Sequence, residues 1–66
     1  MEPIYEPSDI MQYFKWEHLP ERLQAISKPF GELAERLDRD LKPGAEKSVA
    51  LRKLLESKDA AVRAAL

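Results

Sequence analysis

From Leu19 onward, apolar residues recur at helical spacing. Leu19, Leu23, Ile26, Phe30, Leu33, Leu37 and Leu41 step by four, three, four, three, four and four. This sustained stripe, close to a coiled-coil seam, predicts a helix over residues 20–41. Pro20 suits its first turn, where a missing N–H costs nothing. Glu32 with Arg36, and Glu35 with Arg39, form i,i+4 pairs in the favourable order on the outer face, worth ~0.2–0.5 kcal/mol each. A second stripe, of Leu51, Leu54, Leu55, Val62, Ala65 and Leu66, predicts another helix over 45–66. Lys42-Pro43-Gly44 is the turn between them, short enough to make the helices antiparallel neighbours.

Two residues interrupt the pattern. Pro29 lies inside the first helix and removes the hydrogen bond to the Ala25 carbonyl. The stripe passes through it in phase, which predicts a kink rather than a stop, either as plain curvature or as a bend that shapes a pocket. Lys58 falls in the middle of the second stripe. Its stem can pack while the ammonium reaches water, or it can pair with an acid or an anionic ligand at a seam between subunits. Ser57, Ala60 and Ala64 form a small-residue strip on another side of the same helix.

The segment before the stripes, residues 1–18, differs in character. It holds Tyr5, Tyr13, Phe14 and Trp16, four of the five aromatics. Pro3 and Pro7 keep its start extended. Ser8 is placed to cap a short helical turn through Asp9, Ile10, Met11 and Gln12. The expected fold is therefore all-α: a short N-terminal helix or turn, then a long antiparallel helical hairpin, in one domain.

Size adds an expectation of self-association. A chain of 66 residues buries only about 60% of its unfolded surface, so a lone monomer is marginal. There is no cysteine and only one histidine, which removes disulfides and the usual zinc or haem ligand sets as staples. Two helices also leave part of each stripe exposed, so a further layer is expected. The expectation is a helical homo-oligomer.

Charge narrows the function classes. The net charge is −1, with nine acids against six Lys/Arg in residues 1–43 and five Lys/Arg against three acids thereafter. That balance argues against a simple electrostatic DNA binder. No apolar run of about 18 residues is present to span a membrane. The acidic, proline-bearing start is unlike a signal peptide, so the expected compartment is the cytoplasm. His18 is the only imidazole, the serines lack a base in any recognisable pattern, and two glycines cannot build a phosphate loop. Neither catalysis nor a cofactor or metal is expected.

Binding a planar anion is easier to assemble. Tyr13, Phe14 and Trp16 offer faces for stacking a base, unless they close the end of the hairpin core. Lys15, Arg22 and Lys28 are near in sequence and can meet phosphates. The alternative function is a non-enzymatic helical adaptor whose exposed stripe docks a host or phage protein.

Three runs carry a resemblance: Tyr13 to Pro20, with Phe14 and Trp16; Ile26 to Ala34, with Lys28; and Pro43 to Leu54, with a Pro-x-x-Glu-Lys turn. Their order and spacing resemble the hairpin domain of the phage anti-CBASS and anti-Thoeris sponge proteins, over roughly residues 12–65. The resemblance implies a small helical oligomer, a hexamer in that family, that sequesters cyclic oligonucleotide immune signals without cleaving them. It implies cyclic dinucleotides such as 3′,3′-cyclic GMP–AMP as ligands, held in pockets between protomers. It assigns Tyr13 to stacking and Lys28 to phosphate, with Phe14 and Trp16 as neighbours. Arg52 and Lys53 match a separate trinucleotide site in some members. The chain departs from many relatives in the last helix, where Ser57 to Ala64 replaces a Trp-Ala-Asn-Ala stretch.

Overall fold

The computed structural model describes residues 4–66, so Pro3 and its predicted role lie outside the described residues. The chain forms a 3-10 helix over Asp9–Phe14, then α1 over Glu21–Asp40 and α2 over Ala45–Ala65. Helices α1 and α2 pack as the expected hairpin, and residues 4–20 lie across it as a strap that touches both.

The helix boundaries follow from local chemistry. Pro20 sits just before α1, and its carbonyl accepts the amides of Leu23 at 2.8 Å and Gln24 at 2.9 Å. The helix continues through Pro29. At the far end the Leu41 amide donates to the Leu37 carbonyl at 2.9 Å. The turn then closes on Gly44, whose φ of 156° and ψ of 178° lie in a region that side chains rarely enter. Near the start of the strap, Ser8 precedes the 3-10 helix, but its side chain does not cap it. The hydroxyl is spent elsewhere, on Asp38.

The core is small. Phe14, Ala34 and Leu51 are its buried centre, with Ile10, Met11, Leu37, Leu54 and Leu55 packed around them. On α1 the buried line is Leu23, Ser27, Gly31, Ala34 and Asp38. This corrects the sequence stripe in part: Leu23 is buried and Leu37 packs against the core, whereas Ile26, Phe30, Leu33 and Leu41 lie beside the buried line. At 100° per residue the buried line is rotated from that stripe by roughly a quarter turn. Small residues occupy it because the strap must approach closely. A Cβ on Gly31 would lie 2.9 Å from the Phe14 carbonyl oxygen and 2.9 Å from Trp16 Cδ1. The larger residues are displaced to the flank: Ile26, Phe30 and Leu37 are half-buried, while Leu33 and Leu41 are exposed.

On α2, Leu51 is buried and Leu54, Leu55, Val62 and Ala65 are half-buried, as the stripe predicts. Leu66 has left the helix and is exposed. Lys58 packs its stem, with the side chain only 13% exposed, and places Nζ 3.0 Å from Asp59. Of the predicted α1 surface pairs, Glu35 meets Arg39 at 2.7 Å, whereas Arg36 lies 3.9 Å from Asp40. The small strip of Ser57, Ala60 and Ala64 faces outward. No helix is long and apolar enough to cross a membrane among the described residues.

Candidate functional site

The strap is held by one buried carboxylate. Asp38 is 4% exposed, and its two oxygens accept from the Tyr5 hydroxyl at 2.5 Å, the Ser8 hydroxyl at 2.5 Å and the Ser8 amide at 3.0 Å. From α2, Lys47 Nζ lies 3.1 Å from Oδ1 and donates to the Asp38 carbonyl at 2.7 Å. The cluster joins all three segments at the turn end of the hairpin. Burial alone would raise the Asp38 pKa. The hydrogen bonds from Ser8, Tyr5 and Lys47 outweigh it and hold the carboxyl well below the usual carboxylate range. Burial, then the bond to Asp38, pushes the Tyr5 phenol up to about 12. Arg39 also lies over the Tyr5 ring, 4.7 Å from its centroid.

Farther along the strap, the three consecutive candidates part ways. Phe14 is 2% exposed and belongs to the core, so it offers no face to a ligand. Trp16 is half-buried, pressed against Gly31, and carries the Lys28 ammonium 5.2 Å from its ring centroid. Tyr13 is 58% exposed. The chain then turns at 17–20, where the Gln24 side chain donates to the carbonyls of Glu17 at 3.1 Å and Leu19 at 2.7 Å.

Tyr13 stands in a cavity of about 410 Å³ between the strap and the last turns of α2. Lys15 and His18 come from the strap, and Lys58, Asp59 and Arg63 come from α2. Leu19 and Val62 form its apolar wall. Arg22 secures this end of the hairpin by donating to the Ala65 carbonyl at 2.6 Å. It lies outside the residues that line the Tyr13 cavity.

The structure thus brings Tyr13 together with Lys15, and places Lys28 on Trp16. Lys28 does not line the Tyr13 cavity. Arg52 and Lys53 are exposed on α2, with Lys53 lying 3.7 Å from Glu56. A second and larger groove, of about 760 Å³, runs along the other flank of the strap over Met11, Trp16 and Gly31. Acids border it, including Asp9, Glu17, Glu32 and Glu35. No group of three metal-ligating side chains converges among the described residues.

Sequence reasoning missed both clusters. Asp38 reads as a surface acid beside Leu37, and its donors Tyr5 and Ser8 lie 33 and 30 residues away. Arg63 and His18 line one groove only because the strap crosses the open end of the hairpin. The rotation of the buried line had one available signal: Ser27, Gly31 and Ala34 repeat at helical spacing as small residues.

The architecture defined here is a helical hairpin closed by an N-terminal strap. No protein-family model, curated protein or solved structure matches the chain.

Proposed function

We propose that this protein is a non-enzymatic sponge that binds and sequesters cyclic oligonucleotide second messengers in the cytoplasm of a bacterial host. The observation that supports this reading best is the exposure of Tyr13. Phe14 is consumed by packing and Trp16 is half-buried against Gly31, so Tyr13 is the most exposed of the three rings, and it stands among cations. An exposed ring flanked by ammonium and guanidinium groups suits a base linked to phosphate. The resemblance in sequence adds the cyclic ligand and Lys28 as a second contact. In an assembly, Lys28 of a neighbouring protomer would add a phosphate contact that Lys28 of the same chain, lying over Trp16, does not make.

The test is calorimetric titration with 3′,3′-cyclic GMP–AMP and related cyclic dinucleotides, followed by heating and assay of the released ligand. Tight binding with intact ligand recovered supports the sponge, and Tyr13→Ala or Lys28→Ala should then weaken binding while leaving the oligomer intact. Degraded ligand overturns the non-enzymatic reading.

A second reading is favoured by the displaced stripe. On the flank of α1, Leu33 and Leu41 are exposed and Ile26 and Phe30 half-buried, which leaves apolar surface open to solvent. In the sponge this flank is where copies of the chain meet. In a helical adaptor it docks a host or phage protein instead, and the cyclic dinucleotide panel gives no heat of binding.

A further inference from the structure

The cavity beside Tyr13 is built within one chain. Its cations are Lys15, Lys58 and Arg63, its one acid is Asp59, and its neutral wall is Leu19 and Val62. Asp59 is already paired with Lys58. Among the described residues, Lys15, His18 and Arg63 take part in no ion pair. The surplus is therefore two fixed positive charges, with the His18 imidazole as a further donor.

That surplus matches one kind of phosphate better than another. A terminal phosphomonoester carries about −1.5 to −2 at neutral pH and presents three acceptor oxygens. Each of the two phosphodiesters of a cyclic dinucleotide carries a single charge and presents fewer free oxygens, so it is the gathering of Lys15, Arg63 and His18 in one groove that favours the monoester. The groove, of about 410 Å³, falls within the range of ligand pockets, about 300–1,000 Å³.

We infer that this groove is a binding site for a nucleoside 5′-monophosphate, one per chain. The base stacks on Tyr13, and the phosphate lies between Lys15 and Arg63 within reach of His18. The inference shares with the sponge reading the premise that Tyr13 is a stacking face. It needs neither a second protomer nor Lys28.

Calorimetry and NMR titration of the full chain with guanosine 5′-monophosphate and adenosine 5′-monophosphate test it. Unphosphorylated guanosine and 3′,3′-cyclic GMP–AMP are run in parallel. The expected result is one monophosphate per chain, perturbing the Tyr13 and His18 ring signals, with guanosine at least about tenfold weaker. Lys15→Gln and Arg63→Gln should each weaken the monophosphate by about tenfold, with circular dichroism unchanged. Arg36→Gln, at an exposed position outside the groove, should leave it within about twofold. Binding that is absent, that is unaffected by Lys15→Gln and Arg63→Gln, or that does not depend on the phosphate overturns the inference. Cyclic dinucleotide bound without monophosphate leaves the sponge standing and sinks this site. The reverse pattern keeps the site and sinks the sponge.

Discussion

Lys47 is joined to Asp38 twice, by an ion pair of 3.1 Å to the carboxylate and by a hydrogen bond of 2.7 Å to the main-chain carbonyl of the same residue. Both side chains are nearly enclosed, at 13% and 1% exposed. A buried pair contributes modestly as a whole, but removing one partner strands the other charge at a cost of about 3–5 kcal/mol. Asp38→Ala should therefore destabilise by about 3 kcal/mol or more, in a protein whose whole stability is ~0.05–0.15 kcal/mol per residue. Urea denaturation checks the value. A loss below about 1 kcal/mol would mean the strap is held mainly by its apolar contacts.

The same cluster predicts how stability depends on pH. Asp38 has its folded pKa held below its unfolded value of about 3.9. Its contribution is present above pH ~4 and is lost as pH falls through the folded value. Tyr5 behaves oppositely, because its folded pKa is raised to about 12. Its contribution is complete below pH ~10 and is lost as pH rises towards 12. Thermal melts across the range should show both losses, and Tyr5→Phe should remove the alkaline one and diminish the acid one, because it also deletes a donor to Asp38.

Gly31→Ala isolates the approach of the strap. Alanine favours a helix over glycine by about 1 kcal/mol. Here its Cβ would meet the Phe14 carbonyl and Trp16 Cδ1 at 2.9 Å, and the carbonyl cannot swing aside like a side-chain tip. The net effect should be destabilisation by about 1–3 kcal/mol, with a red shift in Trp16 fluorescence as the ring is lifted. Unchanged emission and increased stability would show that the strap yields freely.

Ser27 carries the opposite expectation. It is fully buried, and its hydroxyl has no hydrogen-bond partner. An unsatisfied buried polar group costs about 1–3 kcal/mol, so Ser27→Ala should stabilise the fold by about 1 kcal/mol, read from the denaturation midpoint. A clear loss of stability would reveal a hydrogen bond made in solution.

The apolar flank is probed by Leu33→Glu. Leu33 is 46% exposed and lies outside the α1–α2 core, so the substitution should leave the helical circular dichroism intact. Sedimentation equilibrium should then report 7.6 kDa for the variant and a multiple of it for the parent. An unchanged mass for both would direct attention to the adaptor reading.

The pattern of the sequence determined that there are two long helices, where they turn, and that they form a hairpin. Those features depend on spacing along the chain, on Pro20, and on Gly44 at a backbone geometry few other residues adopt. Helical continuity through Pro29 was also legible, because the stripe keeps phase across it. The face that α1 buries was not legible from hydrophobicity. The tertiary structure gave that face to Ser27, Gly31, Ala34 and Asp38, since a strap laid across a helix rewards small side chains and a carboxylate with waiting donors. Of the candidate binding residues, the sequence singled out Tyr13, Phe14 and Trp16 as a group. Only the fold separated them, by burying one, pinning one against Gly31 and leaving Tyr13 exposed. Likewise, Arg63 joins Lys15 and His18 through a crossing of segments far apart in the chain. Spacing reports neighbours within an element, and contacts between elements are decided by how closely their surfaces can approach.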